Sequence, residues 1–321
     1  MTMTSSGTSQ GKLFILVGPA GTGKNSLMKA AISAVPGLRQ LPTATSRPMR
    51  INESEGREHF FMSRGQFEEM IEQDDLLEWQ VVHGTNYYGM VRSKTKQVLD
   101  AGELVIADID YLGARAAKQA YPDEVVSVFI TPPTSADLVK RLHGRGENHV
   151  ETSKRLLRAP QEMAVAPECD YVIVNDIEAE AADQLVAIIR SEAAGHKCDI
   201  QRGALPQLKL VARAVIFNAA GEPDDTLPDS PQADVQPEEM PHLSAIRAAQ
   251  SAFGGALPPG TWHYKYGEQG GYIPPDELYV KTDNGNIDDA VYVYRFFLDG
   301  DAGSMPGTAS FTPAEMHVET P

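Results

Sequence analysis

Cysteine is scarce in this chain: Cys169 and Cys198 are the two among 321 residues. That excludes a disulfide framework and an all-cysteine zinc site, and makes a reducing cytoplasm the expected setting. No apolar run approaches the ~20 residues that a bilayer span requires. The opening residues, MTMTSSGTSQGK, carry no hydrophobic signal core, so export is not expected. A basic surplus is missing as well. The net charge of −16 argues against nucleic-acid and anionic-membrane partners. Acidic residues are absent from positions 1–50, which hold six Lys/Arg, whereas positions 201–321 hold 7 basic and 17 acidic residues. A basic stretch inside an acidic protein points to a local anion site. With 42% hydrophobic and 22% charged residues, the composition is that of a globular protein.

Residues 1–11 are rich in Ser, Thr and Gly and read as a flexible leader. KLFILVG (12–18) is a short apolar run closed by glycine, the pattern of a buried strand, and SLMKAAISAV follows with helical spacing. ELVIADID (103–110), EVVSVFI (124–130) and DYVIVND (170–176) are further buried-strand candidates. Helical stretches lie between them, around 112–119, 134–142, 151–165 and 179–193. Strands alternating with helices predict an α/β fold with a parallel sheet covered on both faces. The character changes after about residue 198. LKLVARAVIFNAAGE (208–222) reads as a strand into a turn, the Pro-rich acidic stretch 223–241 as a loop, and SAIRAAQSAF (244–253) as a helix. VYVYRFFLD (291–299) reads as a strand, and FTPAEM (311–316) as a helix start capped by Thr312. No internal repeat is evident.

The most specific motif is Gly18-Pro19-Ala20-Gly21-Thr22-Gly23-Lys24-Asn25, which fits G-x-x-x-x-G-K-x between a predicted strand and a predicted helix. Its glycines let the backbone curl so that N–H groups converge on phosphate oxygens, and the helix adds its positive end. Lys24 supplies a point charge for β- and γ-phosphates. The eighth position usually holds a hydroxyl for Mg²⁺. Here it is Asn25, followed by Ser26, so a carbonyl oxygen is the candidate metal contact.

A second group follows: Thr43-Ala44-Thr45-Ser46-Arg47-Pro48-Met49-Arg50, then Glu53, Gly56 and His59-Phe60-Phe61. Two arginines three apart, in a segment read as lacking acidic neighbours, suit a phosphate monoester, because each guanidinium presents a planar fork. LLEWQVVHGTNYYG (76–89), ELVIADIDYLG (103–113), RLHGRG (141–146), KRLLRA (154–159) and VIVND (172–176) complete an ordered set.

This set resembles guanylate kinase over residues 12–195. The resemblance implies a P-loop nucleoside monophosphate kinase fold over residues 12–198, with an acceptor-binding part near 43–102 and a lid near 137–160. It implies ATP-dependent phosphorylation of GMP or dGMP with Mg²⁺. The acceptor phosphate would meet Arg47, Arg50, Tyr88 and Gly89. His59 stands where a second tyrosine is usual, and its charge would depend on pH. The guanine would meet Thr43 and Glu78, since one carboxylate accepts from both N1–H and the N2 amino group. Asp108 and Asp110 match an acidic pair, Asp108 near metal water and Asp110 near the base. Arg141, Arg145 and Arg155 match lid arginines that stabilise the transferred phosphoryl group, and Asn175 matches a nucleotide contact. Met90 replaces a hydroxyl residue near the base, which leaves room for a relaxed preference for deoxy or modified guanine. Two readings stay open beside this one. One is a related kinase with a shifted acceptor, such as another deoxynucleotide or a ribose bisphosphate. The other is a non-catalytic phosphopeptide-binding module, which Lys24 and the lid arginines disfavour.

Residues 206–321 are expected to form a C-terminal α+β accessory domain. They faintly resemble a degenerate Nudix hydrolase domain. Glu239, Arg247 and Gly254 fall in place, whereas the glutamate positions are Ala248, Ser251 and Ala252. That substitution would leave no carboxylates for metal. The tract WHYKYGEQGGY (262–272) reads as a loop for a ligand or partner, and homo-oligomer contacts through this region are a further expectation.

Overall fold

A computed structural model describes residues 11–82, 86–144, 146, 149–200, 205–206, 208–217, 231–235, 241–254, 262–265, 277–283, 286–298 and 308–311. The chain divides into two compact units, Met1–Thr131 with Glu162–Leu205, and Pro132–Gln161 with Pro206–Pro321. Among the described residues no helix is long and apolar enough to cross a membrane. The leader reading falls on residues 1–10, outside the described residues.

The first unit opens with β1 (Lys12–Val17), α1 (Lys24–Ala34) and β2 (Leu38–Gln40). β3 (Thr43–Thr45), β4 (His59–Phe61), α2 (Arg64–Glu72), β5 (Leu76–Val82) and β6 (Asn86–Val91) follow. Next come α3 (Arg92–Asp100), β7 (Leu104–Asp108), α4 (Tyr111–Ala120) and β8 (Val125–Thr131). The chain then runs through α5 (Ser135–His143) and α6 (His149–Met163) to β9 (Tyr171–Val174) and α7 (Glu178–Ala193).

Five parallel strands form one sheet in the order β2-β7-β1-β8-β9. β1 sits at its centre because LFILV is apolar on both faces, and all five of those side chains are buried. One apolar layer joins Phe14, Leu16 and Val128 to α1 and α7, and the other joins Leu13, Ile15 and Phe129 to α3 and α4. Ligands of such sheets bind beyond the carboxyl ends of the strands, and that is where the phosphate-loop glycines, Asp108 and Asn175 lie.

A second, four-stranded sheet has the order β4-β3-β6-β5. β3 and β4 pair in parallel, and the other pairs are antiparallel. α2 starts at a capping box, in which Ser63 and Gln66 bond each other's backbone reciprocally. It drives Phe67, fully buried, against Ala44, Leu76 and Val91.

The second unit contains β10 (Lys209–Phe217), β11 (Gln232–Asp234), α8 (Pro241–Ala252), β12 (Trp262–Lys265), β13 (Glu277–Asp283), β14 (Asn286–Leu298) and β15 (Thr308–Phe311). Its mixed sheet runs β11-β10-β14-β12-β15, with β13 also on β14. β10 and β14 are parallel and the remaining pairs antiparallel. Segment 132–161 belongs to this unit. α5 packs on β13 and β14, and the fully buried Tyr292 of β14 donates its hydroxyl to Ser153 O at 3.2 Å.

Three local readings change. Part of the acidic stretch forms β11, because Gln232–Asp234 pairs with Val211–Arg213 of β10. Trp262–Lys265 is strand, paired with β14 and β15, where a loop was expected. Phe311 closes β15, while residues 312–316 of the expected helix start lie outside the described residues, as does Glu239. On α8, Ala248 is buried and Arg247 Nη2 donates to Asp234 O at 2.9 Å.

Phe67 fills the core of the smaller sheet alone among large side chains that are fully buried there. Phe67→Ala is expected to destabilise that unit by about 3–5 kcal/mol, seen as a lower urea midpoint followed by Trp79 fluorescence.

Candidate functional site

The glycine-rich loop leaves the carboxyl end of β1 in a conformation that only glycine tolerates at two points. Gly18 has φ +136°, and a Cβ there would lie 2.1 Å from Ile130 O. Gly23 has φ +96°, and a Cβ there would lie 2.3 Å from Asn175 Nδ2. The loop is tied to itself and to β9: Thr22 Oγ1 donates to Pro19 O at 3.0 Å, and Asn175 Nδ2 donates to Thr22 O at 2.7 Å. Gly23 caps α1 without any side-chain hydrogen bond, so the first-turn amides face outward as an anion site. Lys24 Nζ donates to Gly18 O at 2.7 Å and Pro19 O at 3.1 Å, and lies 3.8 Å from Asp108 Oδ1.

A cavity of about 320 Å³ extends from this loop to the smaller sheet. Val17, Gly18, Ala20, Lys24 and Asp108 line one side; Thr43, His59, Glu78, Gln80, Tyr88 and Gly89 line the other, with Asp110, Tyr111 and Glu162 between. Its volume lies within the range of small-molecule sites.

On the sheet side, Thr43 Oγ1 and His59 Nδ1 are hydrogen-bonded at 2.8 Å, and the His59 ring meets Phe61 and Tyr88 edge-on. Burial and then the Arg47 charge push the His59 pKa below its usual value, so the imidazole is neutral at neutral pH. Arg47 is buried and donates to both Glu53 oxygens, from Nη1 at 2.6 Å and Nη2 at 2.5 Å, while its Nε donates to Tyr88 Oη at 2.8 Å. This corrects the view of an arginine pair without acidic neighbours: Glu53 is that neighbour, held near pKa 2 by Arg47. Arg50 is exposed, and its backbone N–H joins the same Glu53 oxygen at 2.9 Å.

Glu78 and Gln80 project from β5 into the cavity, while Trp79 and Val81 point outward on its exposed face. Burial, and next the neighbouring Asp110, push the Glu78 carboxyl up to about 7. Asp110 caps α4, accepting from Gly113 N at 2.9 Å. Gly113 leaves space for the carboxylate, since a Cβ there would lie 2.9 Å from Glu78 Cδ.

Residues 10–192 match the family model described as guanylate kinase. The chain belongs to the guanylate kinase family. It is 40% identical over 184 residues to a guanylate kinase of Bradyrhizobium diazoefficiens, covering 57% of this chain and 84% of that one. It is 41% identical over 186 residues to a guanylate kinase of Symbiobacterium thermophilum, covering 58% and 87%. A solved guanylate kinase from Anaplasma phagocytophilum aligns at 30% identity over 58% of this chain and 87% of that one, with a TM-score of 0.46.

Within this guanylate kinase chain, the structure brings Lys24, Asp108, Asp110, Thr43, His59, Glu78, Tyr88 and Gly89 around one cavity. Arg47 lies behind it through Tyr88. Asn25 and Ser26 are exposed on the first turn of α1 and do not line it. Asn175 is buried and supports the loop through Thr22. Arg141 and Arg155 stand on α5 and α6 in the other unit, and Arg145 lies outside the described residues. Met90 is fully buried in the core between the sheet and its helices, and stands opposite Glu78 in the register of β5 and β6. Sequence reading placed Glu53 in the acceptor segment without giving it a role, and missed Gln80. The Arg-x₂-Arg-x₂-Glu spacing could have signalled Glu53, and the two-residue strand period could have signalled Gln80.

For Mg²⁺, one carboxylate beside bound phosphates is a sufficient protein contribution. Asp108, on the cavity wall beside Lys24, fits that part. Gly23→Ala is expected to displace Asn175 and to cost more than ~1 kcal/mol, because both φ and the Cβ contact are unfavourable. Thermal unfolding compared with Gly195→Ala, where φ is also positive but nothing lies within 4 Å of the added Cβ, separates the contact from the backbone strain.

Proposed function

We propose that the enzyme transfers the γ-phosphoryl group of ATP to GMP or dGMP. The observation that carries this reading is a single cavity with an amide-and-lysine loop on one wall and a buried carboxylate, Glu78, on the other. On this reading the ATP phosphates lie on Gly18–Gly23 and the first turn of α1, with Lys24 leaving its loop carbonyls for phosphate oxygen. Asp108 would hold Mg²⁺ through water, with Asn25 as a second candidate. When bound, the ion would supply positive charge against the negative charge of the phosphates.

The acceptor lies across the cavity. Glu78 accepts from guanine N1–H and N2–H; adenine offers a lone pair at N1, which the carboxylate repels. Thr43 and neutral His59 flank the base and phosphate as hydrogen-bonding groups. Tyr88, Arg47 and Arg50 hold the monophosphate, with Glu53 fixing the Arg47 fork. The acceptor is already an anion, so no general base is required, and positioning with charge neutralisation carries the rate. Arg141, Arg145 and Arg155 supply transition-state charge from the lid, near residues 137–160. Residues 12–198 constitute the kinase in this reading, and 206–321 an accessory domain through which copies could associate. The free thiols of Cys169 and Cys198 suit a cytoplasmic setting.

A panel of nucleoside monophosphates and phosphorylated sugars, with ATP consumption as the readout, tests the assignment. GMP or dGMP should be preferred; preference for a sugar phosphate, or no turnover with any acceptor, would refute it. Lys24→Ala should lower kcat by at least a hundredfold with an unchanged circular dichroism spectrum. Because Glu78 must be ionised to accept from guanine, kcat/KM for GMP should rise roughly tenfold between pH 6 and pH 8, as its carboxyl titrates near 7. The GMP phosphate itself titrates near 6, so the Glu78 contribution is the part of the rise absent in Glu78→Gln.

A further inference from the structure

The reading above gives residues 206–321 no part in the reaction, yet segment 132–161 belongs to the same compact unit. That segment is too short to enclose a core of its own. On α5, Leu138, Val139 and Leu142 are buried, and the helix packs on β13 and β14. At about 100° per residue, those side chains cover one side of α5, and Arg141 falls off that side. On α6, Ser153, Leu156 and Ala159 are fully buried along one side, and Arg155 stands at its edge, half-buried.

The bond from Tyr292 Oη to Ser153 O, at 3.2 Å, ties α6 to the C-terminal strands. A buried tyrosine hydroxyl needs a partner, and a main-chain carbonyl has a second lone pair to offer even inside a helix. The bond is directional, so it resists both rotation and sliding of α6, two residues before Arg155. Its donor is anchored in turn. β14 pairs with β10, β12 and β13, and Tyr292 is fully buried. Tyr294, on the same face of the strand, meets the His242 ring of α8 edge-on, with ring centroids 6.4 Å apart.

We propose that residues 206–321 act in the reaction as the mount of the lid, and that Tyr292 is a positioning residue that sets Arg155 through α6. The proposal rests on the reading of Arg155 as a group that stabilises the transferred phosphoryl. Such a group contributes most when it is aimed before the charge develops. An arginine on a short, solvated pair of helices would find its aim only as the substrates bind. Lid helices seated on a six-stranded sheet carry that aim in advance. The residues assigned to ATP and GMP binding lie in the first unit, so disturbing the mount acts on turnover and leaves substrate affinity in place.

The test is steady-state kinetics of the full chain with ATP and GMP, run as a double-mutant cycle. Tyr292→Phe keeps the ring and its burial and removes the hydroxyl; Tyr292→Leu, which also lacks it, is the second variant. Each should lower kcat about fivefold, the scale of one neutral hydrogen bond. Both KM values should stay within about twofold, because the interaction lost is one made only in the transition state. In the Arg155→Ala background the same substitutions should change kcat no further. If Tyr292 merely held up the fold, a smaller folded fraction would scale kcat by the same factor with and without Arg155, and that result would overturn the proposal. Unchanged kcat in both variants, or a raised KM at unchanged kcat, would overturn it too. Arg155→Ala alone is the separate control. Unchanged kcat there would refute the reading of Arg155 as a transition-state group, whereas a loss without coupling to Tyr292 would leave that reading standing and refute the mount.

Discussion

The hydrogen bond from Asn175 Nδ2 to Thr22 O is the constraint on which the site depends. It joins the end of β9 to the loop after β1, across the intervening β8. The amide occupies the volume that a side chain at residue 23 would need, so glycine there is a packing requirement as well as a conformational one. With the loop pinned, the first turn of α1 presents its amides in a fixed direction, and Lys24 has a defined resting place between loop carbonyls and Asp108. A loop free to relax would lose the convergence of dipoles that makes it an anion site.

Charge is arranged on the opposite wall by burial rather than by number. Arg47 is neutralised bidentately by Glu53 and steered by Tyr88, so the guanidinium is oriented before any anion arrives. His59, close to the same cation, is kept neutral. Glu78 is pushed the other way, toward its protonated form, by burial and by Asp110. A wall with one oriented cation, one neutral imidazole and one poised carboxylate can discriminate between ligands by hydrogen bonding, where a set of fully exposed charges would attract any anion.

The second unit is built around β14. Its parallel pairing with β10 and the buried Tyr292 hydroxyl on Ser153 gather α5 and most of α6 into the same packed body as the C-terminal strands. The helices that carry Arg141 and Arg155 therefore share their packing with residues remote in sequence.

The sequence alone determined the parallel α/β core and the loop, because both are local signals: a run such as LFILV needs two covered faces, and G-x-x-x-x-G-K needs only its own glycines and the helix that follows. It also supplied most of the cavity residues, through motifs whose spacing is fixed by strand and turn geometry. Tertiary structure decided what depends on pairing between distant segments. Glu53 on Arg47, Gln80 beside Glu78, the inward turn of Met90, the strands at Gln232–Asp234 and Trp262–Lys265, and the company kept by α5 all follow from register and packing. The strand pairings and the packing of α5 join positions tens of residues apart, whereas Glu53 and Gln80 lie near their partners in sequence and take their places only from the turn and the strand that aim them.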